Sequence, residues 1–561
     1  MWEIDAMFRL FISLAVLALA ASAFGQMPPE NSPNEFRISG AAVNAVTGQA
    51  LSKIEISIGP AEGPGQTRSM VTAADGRFNF DNLAPRKYWL AAQAHGFSMQ
   101  RFDQHGEFSS AIAVGPDKNS ENLVFRVFPD ATIVGTITDD QSDPLVGAQV
   151  MLFRTAVQKG ESSTRLRTQT MADDQGRYHL AHVPEGTYYI AVSARPWYAE
   201  NNPSGQRVSF SVGGRANQTA LSNSDSAEES QFDVTYPLTF YPGVTDPTAA
   251  TSLTVKPGDR LTADLSLSAV PALQLRVMDS DIAPPTLGSR LTPPPFGVNL
   301  SERIFGATVP IPTDFGRATP GEIEINGLPP GDFTLRVQTF GKNPSSREKQ
   351  ISVSDSSEID TADASGLASV TGIVQSDNGG PLSRPVVVQF ANSSGDNFAV
   401  RTSEKGEFQL SEVRPGKYEL SVFGIRAVFV KNIEATGTNV IGRQVEVGAD
   451  ASIQLKITLS EGVGRIDGTA QLNGKPFAGA MIVLVPQDIV HNAPLVRRDQ
   501  SDSDGTFSLY SVLPGTYNVI AIQNGWDLQW MSPDVLQPHL KGGEVVTVSP
   551  HGRYDIKVNV E

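Results

Sequence analysis

The chain of 561 residues contains no cysteine. This absence excludes disulfide bonds, thiolate metal sites, cysteine catalysis and a lipid-modified cysteine at the mature N-terminus. Exported proteins often use disulfides, but domains of about 100 residues can bury enough apolar surface to fold without them. The lack of cysteine therefore removes several kinds of site and remains compatible with export.

Positive charge and long apolar runs are also scarce. The chain has 44 Lys and Arg against 60 Asp and Glu, a net charge of −16. Nucleic acid and anionic lipid both require a basic partner surface, so neither is expected as a partner. Beyond the N-terminus no run reaches the roughly 18 apolar residues of a membrane-spanning helix, so no stable membrane insertion is expected.

The sequence also lacks the common catalytic signatures. No nucleophile elbow, phosphate loop or dinucleotide fingerprint is present, and no acidic pair among the many carboxylates stands out. We therefore expect no cofactor and no catalytic residue.

The N-terminus has the pattern of an export signal. An apolar run from Leu10 to Ala20 is followed by Ala21-Ser22-Ala23, a small-x-small cleavage site. We predict a cleaved signal peptide over residues 1–23 and a linker over 24–35, with translation starting at Met1 or Met7. The mature protein would lie in the periplasm, on the outer surface or outside the cell.

One thirteen-residue pattern occurs five times. Each copy opens with Gly and closes with an aromatic residue twelve positions later. The copies are GRFNFDNLAPRKY (Gly76 to Tyr88), GRYHLAHVPEGTY (Gly176 to Tyr188), GEIEINGLPPGDF (Gly321 to Phe333), GEFQLSEVRPGKY (Gly406 to Tyr418) and GTFSLYSVLPGTY (Gly505 to Tyr517).

Each copy reads as strand, turn and strand. Apolar and polar residues alternate after the Gly, which is typical of a strand with one buried face. Pro-Gly in three copies predicts a type II turn, with the Gly at positive φ. A buried closing Tyr whose hydroxyl bonds back to the turn would resemble the tyrosine corner of sandwich folds.

Other strands repeat with the motif. A glycine-containing strand precedes four copies, at Gly40, Gly135, Gly372 and Gly468, and a pair of strands follows most copies. About seven strands per unit of roughly 100 residues indicate a β-sandwich. We predict an all-β protein with about five Ig-like or prealbumin-like sandwiches in tandem, joined by short linkers.

The repeats set the domain boundaries. The predicted sandwiches cover residues 36–130, 131–270, 271–366, 367–461 and 462–561. The second carries an insertion near 199–230 that is rich in Ser, Asn and Gly, and the third is divergent because its first strand lacks the Gly.

These glycine strands and Gly-x-aromatic … Pro-Gly-x-Tyr motifs resemble the carboxypeptidase regulatory-like domain family. The resemblance implies prealbumin-like (transthyretin-like) sandwiches of the kind that occur in tandem on exported bacterial proteins. Such domains accompany peptidases, outer-membrane receptors and proteins without known activity. Because the related superfamily includes carbohydrate-binding modules, the resemblance also implies sugar as one class of ligand.

Two motifs suggest metal sites, but the repeat favours a structural interpretation of both. His182 and Glu185 match a zinc carboxypeptidase spacing, yet the equivalent positions in other copies hold Asn, Glu or Ser on wet strand faces and turns. Asp502-Ser503-Asp504-Gly505 resembles part of a calcium loop but lacks its closing Glu, which favours an ordinary turn. No metal is expected.

Exposed aromatic rings are the remaining candidates for ligand binding, since sugars stack on flat rings. We single out Trp526, Trp530, Trp197 and Tyr241. Trp197 and Trp526 recur at one topological position with Phe97, which favours a structural plug for them, whereas Trp530 and Tyr241 lie outside the common pattern.

The first functional hypothesis is a non-enzymatic, exported, multidomain binding or structural protein, with polysaccharide as the first candidate ligand. The alternative is an accessory of envelope assembly or transport that binds envelope proteins by strand addition at sandwich edges. A peptidase-related enzyme ranks last.

Overall fold

A computed structural model describes residues 36–561, apart from residues 119, 159, 200–232, 280–295, 320, 340–344, 362–363, 381, 393–395, 426–427, 488 and 493–494. The predicted signal peptide, the linker after it and nearly all of the predicted insertion lie outside the described residues. The described part is built of β-strands with a few one-turn helices, which confirms the all-β prediction. None of its helices is long and apolar enough to cross a membrane.

The first domain packs two sheets around a core that includes Phe78, Tyr88 and Phe125. Its strands are β1 (Phe36–Asn44), β2 (Glu55–Pro60), β3 (Arg68–Val71), β4 (Arg77–Leu83), β5 (Lys87–Ala94), β6 (Phe97–Arg101), β7 (Ile112–Ala113) and β8 (Leu123–Val127). One sheet has the order β4-β1-β8 and the other β3-β2-β5-β6, with β7 also paired to β5.

The second domain repeats this plan with longer strands in one sheet. Its strands are β9 (Ala131–Asp139), β10 (Gln149–Gln158), β11 (Glu161–Met171), β12 (Arg177–Val183), β13 (Gly186–Ser193), β14 (Val234–Thr235), β15 (Thr239–Phe240), β16 (Leu253–Val255), β17 (Arg260–Thr262), β18 (Leu265–Leu267) and β19 (Val270–Pro271), with a 3-10 turn at Pro247–Ala249. Here β12-β9-β17 faces β11-β10-β13-β15. The β10–β11 hairpin is the longest of its kind among the five domains.

The third domain keeps this plan and adds an edge strand beside its motif strand. Its strands are β20 (Leu273–Met278), β21 (Phe296–Ile304), β22 (Ala307–Pro310), β23 (Asp314–Thr319), β24 (Glu322–Leu328), β25 (Gly331–Thr339), β26 (Ser345–Val353), β27 (Ser357–Asp360) and β28 (Ser365–Gly366). The sheets are β23-β24-β20-β27, in which β23 is the added strand beside the motif strand β24, and β22-β21-β25-β26-β28.

The fourth domain adds an edge strand to the first sheet. Its strands are β29 (Ala368–Ser376), β30 (Val387–Ala391), β31 (Asn397–Arg401), β32 (Glu407–Val413), β33 (Gly416–Phe423), β34 (Val428–Thr436), β35 (Val440–Ile441), β36 (Gln444–Val447) and β37 (Ser452–Glu461). The sheets are β32-β29-β37-β34 and β31-β30-β33-β36-β35.

The fifth domain carries the short helices, α1 (Ile489–Asn492) and α2 (Pro533–Leu536), and two 3-10 turns at Gly525–Asp527 and His539–Gly542. Its strands are β38 (Gly464–Leu472), β39 (Lys475–Pro476), β40 (Met481–Pro486), β41 (Arg497–Gln500), β42 (Thr506–Val512), β43 (Gly515–Ile522), β44 (Glu544–Val548) and β45 (Arg553–Asn559). One sheet has the order β39-β38-β42, with β45 also paired to β38. It faces the other sheet, which has the order β41-β40-β43-β44.

The opening glycine of each motif has the same conformation in all five domains. Its φ lies between 70° and 84°, where side chains with a Cβ are strained. In every copy its carbonyl accepts a hydrogen bond of 2.8–2.9 Å from the first strand of the domain or, in the third domain, from Asp279 directly after that strand. The acceptor glycines are Gly76, Gly176, Gly321, Gly406 and Gly505. The glycine therefore fixes how the motif hairpin attaches to the sandwich.

The closing aromatic ring is buried in every domain. In four domains the Tyr hydroxyl donates to the carbonyl four residues earlier, over 2.8–3.2 Å, as a tyrosine corner does. The rings are Tyr88, Tyr188, Phe333, Tyr418 and Tyr517, and Phe333 has no hydroxyl to donate.

The predicted type II turn is wrong. In the Pro-Gly copies Gly416 and Gly515 have φ of 157° and 156°, close to extended backbone, whereas a type II turn requires about +80°. Each begins the second strand, and a Cβ on it would lie 3.4 Å from the Tyr ring two residues later. The left-handed residue comes earlier, at a bulge in the first strand, as at Glu412 (φ 61°) and Ser511 (φ 54°).

The glycine of each first strand makes room for an aromatic ring. A Cβ on Gly372 would lie 2.6 Å from the Phe408 ring and 2.5 Å from the carbonyl oxygen of Leu455. In the third domain Val277 takes the place of this glycine. It faces Ile323, which takes the place of the aromatic residue and is smaller than a ring, so no such space is needed there.

Adjacent domains are joined by one to three residues between their strands, as the sequence predicts. Domains two and three share an apolar contact, in which Phe305 packs on Phe153, Tyr189 and Phe240 at ring-centroid distances of 5.3, 5.0 and 6.1 Å. The outer face of one sandwich is thus covered by a hairpin of the next.

Domains three and four meet through ion pairs. Arg414 donates to Glu348 over 2.7 Å and Arg336 reaches Glu412 at 2.5 Å, while Arg414 also donates to Asp396 of its own domain over 2.9 Å. Hydrogen bonding to Glu348 raises the pKa of Arg414. These contacts fix the angle between the two domains.

Gly372→Ala should destabilise the fourth domain by about 1–3 kcal/mol, because the new Cβ overlaps both a backbone oxygen and the Phe408 ring. Hydrogen exchange of β29 and β32 in the full chain measures this locally. Gly448→Ala is the control, since its Cβ would make only an ordinary 3.9 Å contact with Ala451. Equal protection in the two variants would contradict the packing argument.

Candidate functional site

The turn before the last motif glycine contacts the first domain. Asp502 and Gly505 close a tight turn through a 2.8 Å backbone hydrogen bond. This turn points the side chains of Asp502, Ser503 and Asp504 toward the first domain. The residues that resemble part of a calcium loop therefore join the two ends of the domain array.

Asp502 binds two groups of the first domain. The backbone N–H of Ala111 donates to its Oδ1 over 2.7 Å, and Lys87 Nζ lies 2.5 Å from its Oδ2. Next to it, Lys118 Nζ donates to Asp504 over 2.9 Å. Charge-assisted bonds of this kind are stronger than neutral ones, so these carboxylates are the main electrostatic anchors of the contact.

Hydrogen bonds that involve backbone groups and two serine hydroxyls set the register of the contact. The N–H of Ser503 donates to the carbonyl of Ala111 over 2.9 Å, and the N–H of Ala113 donates to the Ser503 hydroxyl over 2.8 Å. The Ser110 hydroxyl donates to the carbonyl of Ser501 over 2.9 Å. A shift by one residue would break all three bonds.

Gln500 is buried at the centre of the contact, with 1% of its surface exposed. Its amide nitrogen donates to the carbonyl of Asp103 over 2.6 Å and to the Ser110 hydroxyl over 2.9 Å. Its amide oxygen lies 3.1 Å from Nδ1 of His105. Gln500 thereby satisfies polar groups that docking removes from water.

Aromatic rings flank the polar centre. The His105 ring stacks on Trp526 with a centroid distance of 4.8 Å and an interplanar angle of 6°. Arg498 lies between Phe108 and Trp530, at 4.9 and 4.8 Å from the two ring centroids. Stacking and cation–π contacts thus add to the hydrogen bonds between the first and fifth domains.

The fifth domain has a second apolar layer that supports these rings. All six residues of β40, Met481–Pro486, are buried, because the segment after β43 covers the outer face of the sheet. Trp530 belongs to this layer and is 6% exposed. The tip of the β10–β11 hairpin reaches the same layer, where the N–H of Met531 donates to the carbonyl of Gly160 over 3.1 Å.

A polar cleft of about 510 Å³ opens beside the contact, between the first domain and the outer face of the sheet containing β38, β42 and β45. In it Asp467 accepts from Arg465 and from the Ser508 hydroxyl, both over 2.7 Å. Arg465 also lies 4.5 Å over the Tyr510 ring, whose hydroxyl bonds to Glu62. Charges of both signs line the cleft and largely pair with one another.

Burial changes the acidity of two carboxyl groups at the contact. It raises the pKa of Asp499 to about 6 and also raises the pKa of Asp502, where the positive charge of Lys87 opposes the effect. Asp499 accepts a 2.7 Å hydrogen bond from the N–H of Ser508. The contact therefore depends on carboxylates that are costly to bury.

The four rings proposed from the sequence as ligand contacts are not brought together. Trp526 stacks on His105, and Trp530 is buried in the second apolar layer, so as placed neither offers a free face for a sugar. Tyr241 packs against the core of the second domain, next to the buried Tyr236 and Phe240.

Trp197 is the exception among the four rings, because 89% of its surface is exposed. Its role in ligand binding stays a prediction.

His182 occupies the bulge position of its motif, with φ of 53°, and its Nδ1 lies 2.6 Å from the Asp130 carboxylate at the junction of the first two domains. Within the described ranges, no three or more His, Asp or Glu side chains are grouped so that they could hold a metal ion. His182 of the His-x-x-Glu spacing thus pairs with a carboxylate of the neighbouring domain.

Sequence reasoning missed the docking of the first domain on the fifth. One signal was present, the acidic turn before Gly505; the apolar runs of β40 and of Val150–Phe153 in β10 instead mark sheets whose outer faces are covered. A strand without alternation is buried on both faces, so something must cover its second face.

Asp499→Asn should stabilise the protein at neutral pH. Because the folded state raises the pKa of Asp499 from 3.8 to about 6, it holds a proton that the unfolded chain releases, so stability falls as pH rises through about 4 to 6. Asn keeps the acceptor for the Ser508 N–H and removes the charge, a gain of about 2 kcal/mol at pH 7 and none below pH ~4.

Denaturant unfolding followed at several pH values measures this effect, and Asp555→Asn, on the exposed face of the same domain, controls for loss of a negative charge. An equal gain at all pH values would contradict the assignment.

The solved structures to which this chain is similar include two pilins that are distant in sequence. A streptococcal ancillary pilin is 12% identical with a TM-score of 0.20, covering 51% of this chain and 98% of its own. BcpA, the major pilin subunit of Bacillus cereus, is 12% identical with a TM-score of 0.14, covering 59% of this chain and 99% of its own. Likenesses this distant carry no argument about function. No curated protein matches the chain.

A family model matches the chain twice, over residues 37–126 and 132–220. Both matches contain a copy of the thirteen-residue motif and the glycine strand before it, the features that carry the resemblance noted from the sequence. The resemblance is thereby confirmed: residues 37–126 and 132–220 are two carboxypeptidase regulatory-like domains.

Proposed function

We propose that this protein is a non-enzymatic, exported scaffold whose five sandwiches are held in one closed unit by docking of the first domain on the fifth. The observation that carries the proposal is the contact of Asp502 with Lys87 and Ala111, which joins residues about 400 positions apart. Export is supported by the predicted signal segment at residues 1–23.

The chemistry of the contact supports a structural role. Gln500, Ser501 and Asp502 are polar residues at its centre, and their hydrogen bonds go to the protein itself. Buried polar groups that are fully paired in this way fix one arrangement of the parts they join. The contact therefore sets the geometry at which the loops of the five domains are presented.

Carbohydrate is the first candidate ligand of this scaffold. Trp197 supports it, because a ring exposed over 89% of its surface can stack on a sugar. Tyr198 packs edge-on against it at a centroid distance of 5.8 Å and limits the orientations of the ring.

An accessory that binds envelope proteins is the second candidate. It is favoured by β11, an eleven-residue strand at the edge of its sheet with mostly exposed side chains. An edge of this length can accept an extended peptide as a further strand. Capture of one specific envelope protein, lost when Gln169→Pro removes a donor from the outer side of this edge, would favour this second function over carbohydrate.

Opening of the scaffold should follow loss of one carboxylate. Asp502→Ala removes the partner of Lys87 and of the Ala111 N–H, and loss of one member of a buried charged pair costs roughly 2–5 kcal/mol. Small-angle X-ray scattering should show a larger radius of gyration and maximum dimension than for the unaltered protein.

Asp173→Ala is the matched control, because Asp173 starts the same turn in the second domain but bonds only within it, to the N–H groups of Gln175 and Arg177. Scattering curves that are identical for all three proteins would contradict the closed scaffold.

Glycan binding should depend on Trp197. If the protein binds a polysaccharide, Trp197→Ala should weaken that binding at least tenfold, since stacking on an aromatic ring is lost, while Tyr241→Phe should leave it unchanged. A glycan array followed by titration of any ligand found measures this. Binding that survives Trp197→Ala would exclude this ring as the contact.

A further inference from the structure

The contact between the terminal domains has the form of a peptide bound on a surface. Residues 103–113 of the first domain, here called the docking segment, are contacted along their length by the fifth domain. The surface that receives them, here called the docking face, consists of residues 498–504 and Trp526.

The docking segment is recognised through its backbone as well as its side chains. The carbonyl groups of Asp103 and Ala111 accept hydrogen bonds from the docking face, and the N–H groups of Ala111 and Ala113 donate to it. Such bonds fix position and direction, as in proteins that bind extended peptides. On the first domain, these backbone hydrogen bonds involve only residues of the docking segment.

Side chains provide selectivity. Phe108 packs 5.7 Å from the Trp526 ring and under Arg498, and Glu107 lies 3.7 Å from the same guanidinium group. The docking face therefore selects a segment with an acidic residue, an aromatic residue and then small polar residues.

We propose that the docking face also receives the docking segment of a second copy of this chain, so that the protein assembles head to tail. The segment and the face are two different surfaces carried at opposite ends of one chain. A contact between two different surfaces closes within a chain when geometry allows, and otherwise links copies into open chains or swapped dimers. This inference rests on the same contact as the closed scaffold.

Closure within one chain competes with assembly. Two sites tethered in one molecule meet at an effective concentration of about a millimolar, so the closed monomer prevails in dilute solution. Assembly requires high local concentration or a chain held open. The contact is polar and hydrogen-bonded, a type of surface that remains soluble when exposed.

Two complementary variants of the full chain isolate the contact between copies. Asp502→Ala with Gln500→Ala disables the docking face and leaves the segment intact. Phe108→Ala with Ser110→Ala disables the segment and leaves the face intact. Neither variant can close or self-associate through this contact, but an equal mixture retains one intact pair.

Size-exclusion chromatography with light scattering should show monomers for each variant alone and dimers in the mixture, with at least a tenfold higher dimer fraction. Circular dichroism checks that both variants are folded. A mixture that stays monomeric up to about 1 mM, the effective concentration of the tethered contact, would overturn the proposal. Adding Asp173→Ala to either variant should leave the dimer fraction unchanged.

Crosslinking separates this inference from the closed scaffold. A carbodiimide can join Lys118 to Asp504, whose side chains lie 2.9 Å apart, with loss of one water and formation of an amide. In a concentrated mixture of ¹⁴N and ¹⁵N wild-type chains, mass spectrometry should find this link both within one isotope and between the two. Links within one isotope only would overturn head-to-tail assembly and leave the scaffold intact; absence of the link altogether would contradict both.

Discussion

A glycine at positive φ begins each of the five motifs, and the rest of the architecture depends on it. Its carbonyl ties the motif hairpin to the first strand of the sandwich, and its conformation allows the tight turn that precedes it. The turn residues are then free to vary, because the glycine alone carries the backbone requirement. In the fifth domain they are Asp502, Ser503 and Asp504, which dock on the first domain. The positive-φ glycine that all copies share thus positions, in the fifth domain, the turn residues that only this copy has.

Elsewhere in the chain, too, the features that the domains share build the cores, and the features that differ join the domains. The shared features, the buried Tyr and the glycine under an aromatic ring, build each core. The features that differ join domains: Phe305 between the second and third, Arg414 between the third and fourth, and the second apolar layer around Trp530 in the fifth. The interdomain contacts range from apolar to ionic, so the junctions differ from one another in their chemistry.

The five sandwiches could be predicted from the sequence because their signals are local: alternation, turn residues and a fixed spacing from Gly to Tyr. The turn type was wrong because Gly416 and Gly515 begin the second strand with φ of 157° and 156°, and the left-handed residue lies earlier, at the bulge of the first strand. The docking of residues 103–113 on residues 498–504 could not be predicted, since it pairs segments far apart without any shared period. Trp526 and Trp530 were proposed as ligand contacts because flat aromatic rings can stack on a ligand. In the structure Trp526 stacks on His105, and Trp530 lies under the guanidinium group of Arg498.

The most direct test of the account is the distance between the first and fifth domains in solution. Because the chain lacks cysteine, spin labels can be placed at Val71→Cys and Val545→Cys, both at exposed positions of these two domains. Pulsed electron spin resonance should give one narrow distance distribution, as for two sites in a single rigid body. A broad distribution extending to the limit of the method would show that the first and fifth domains are not held in one arrangement and would contradict the closed scaffold.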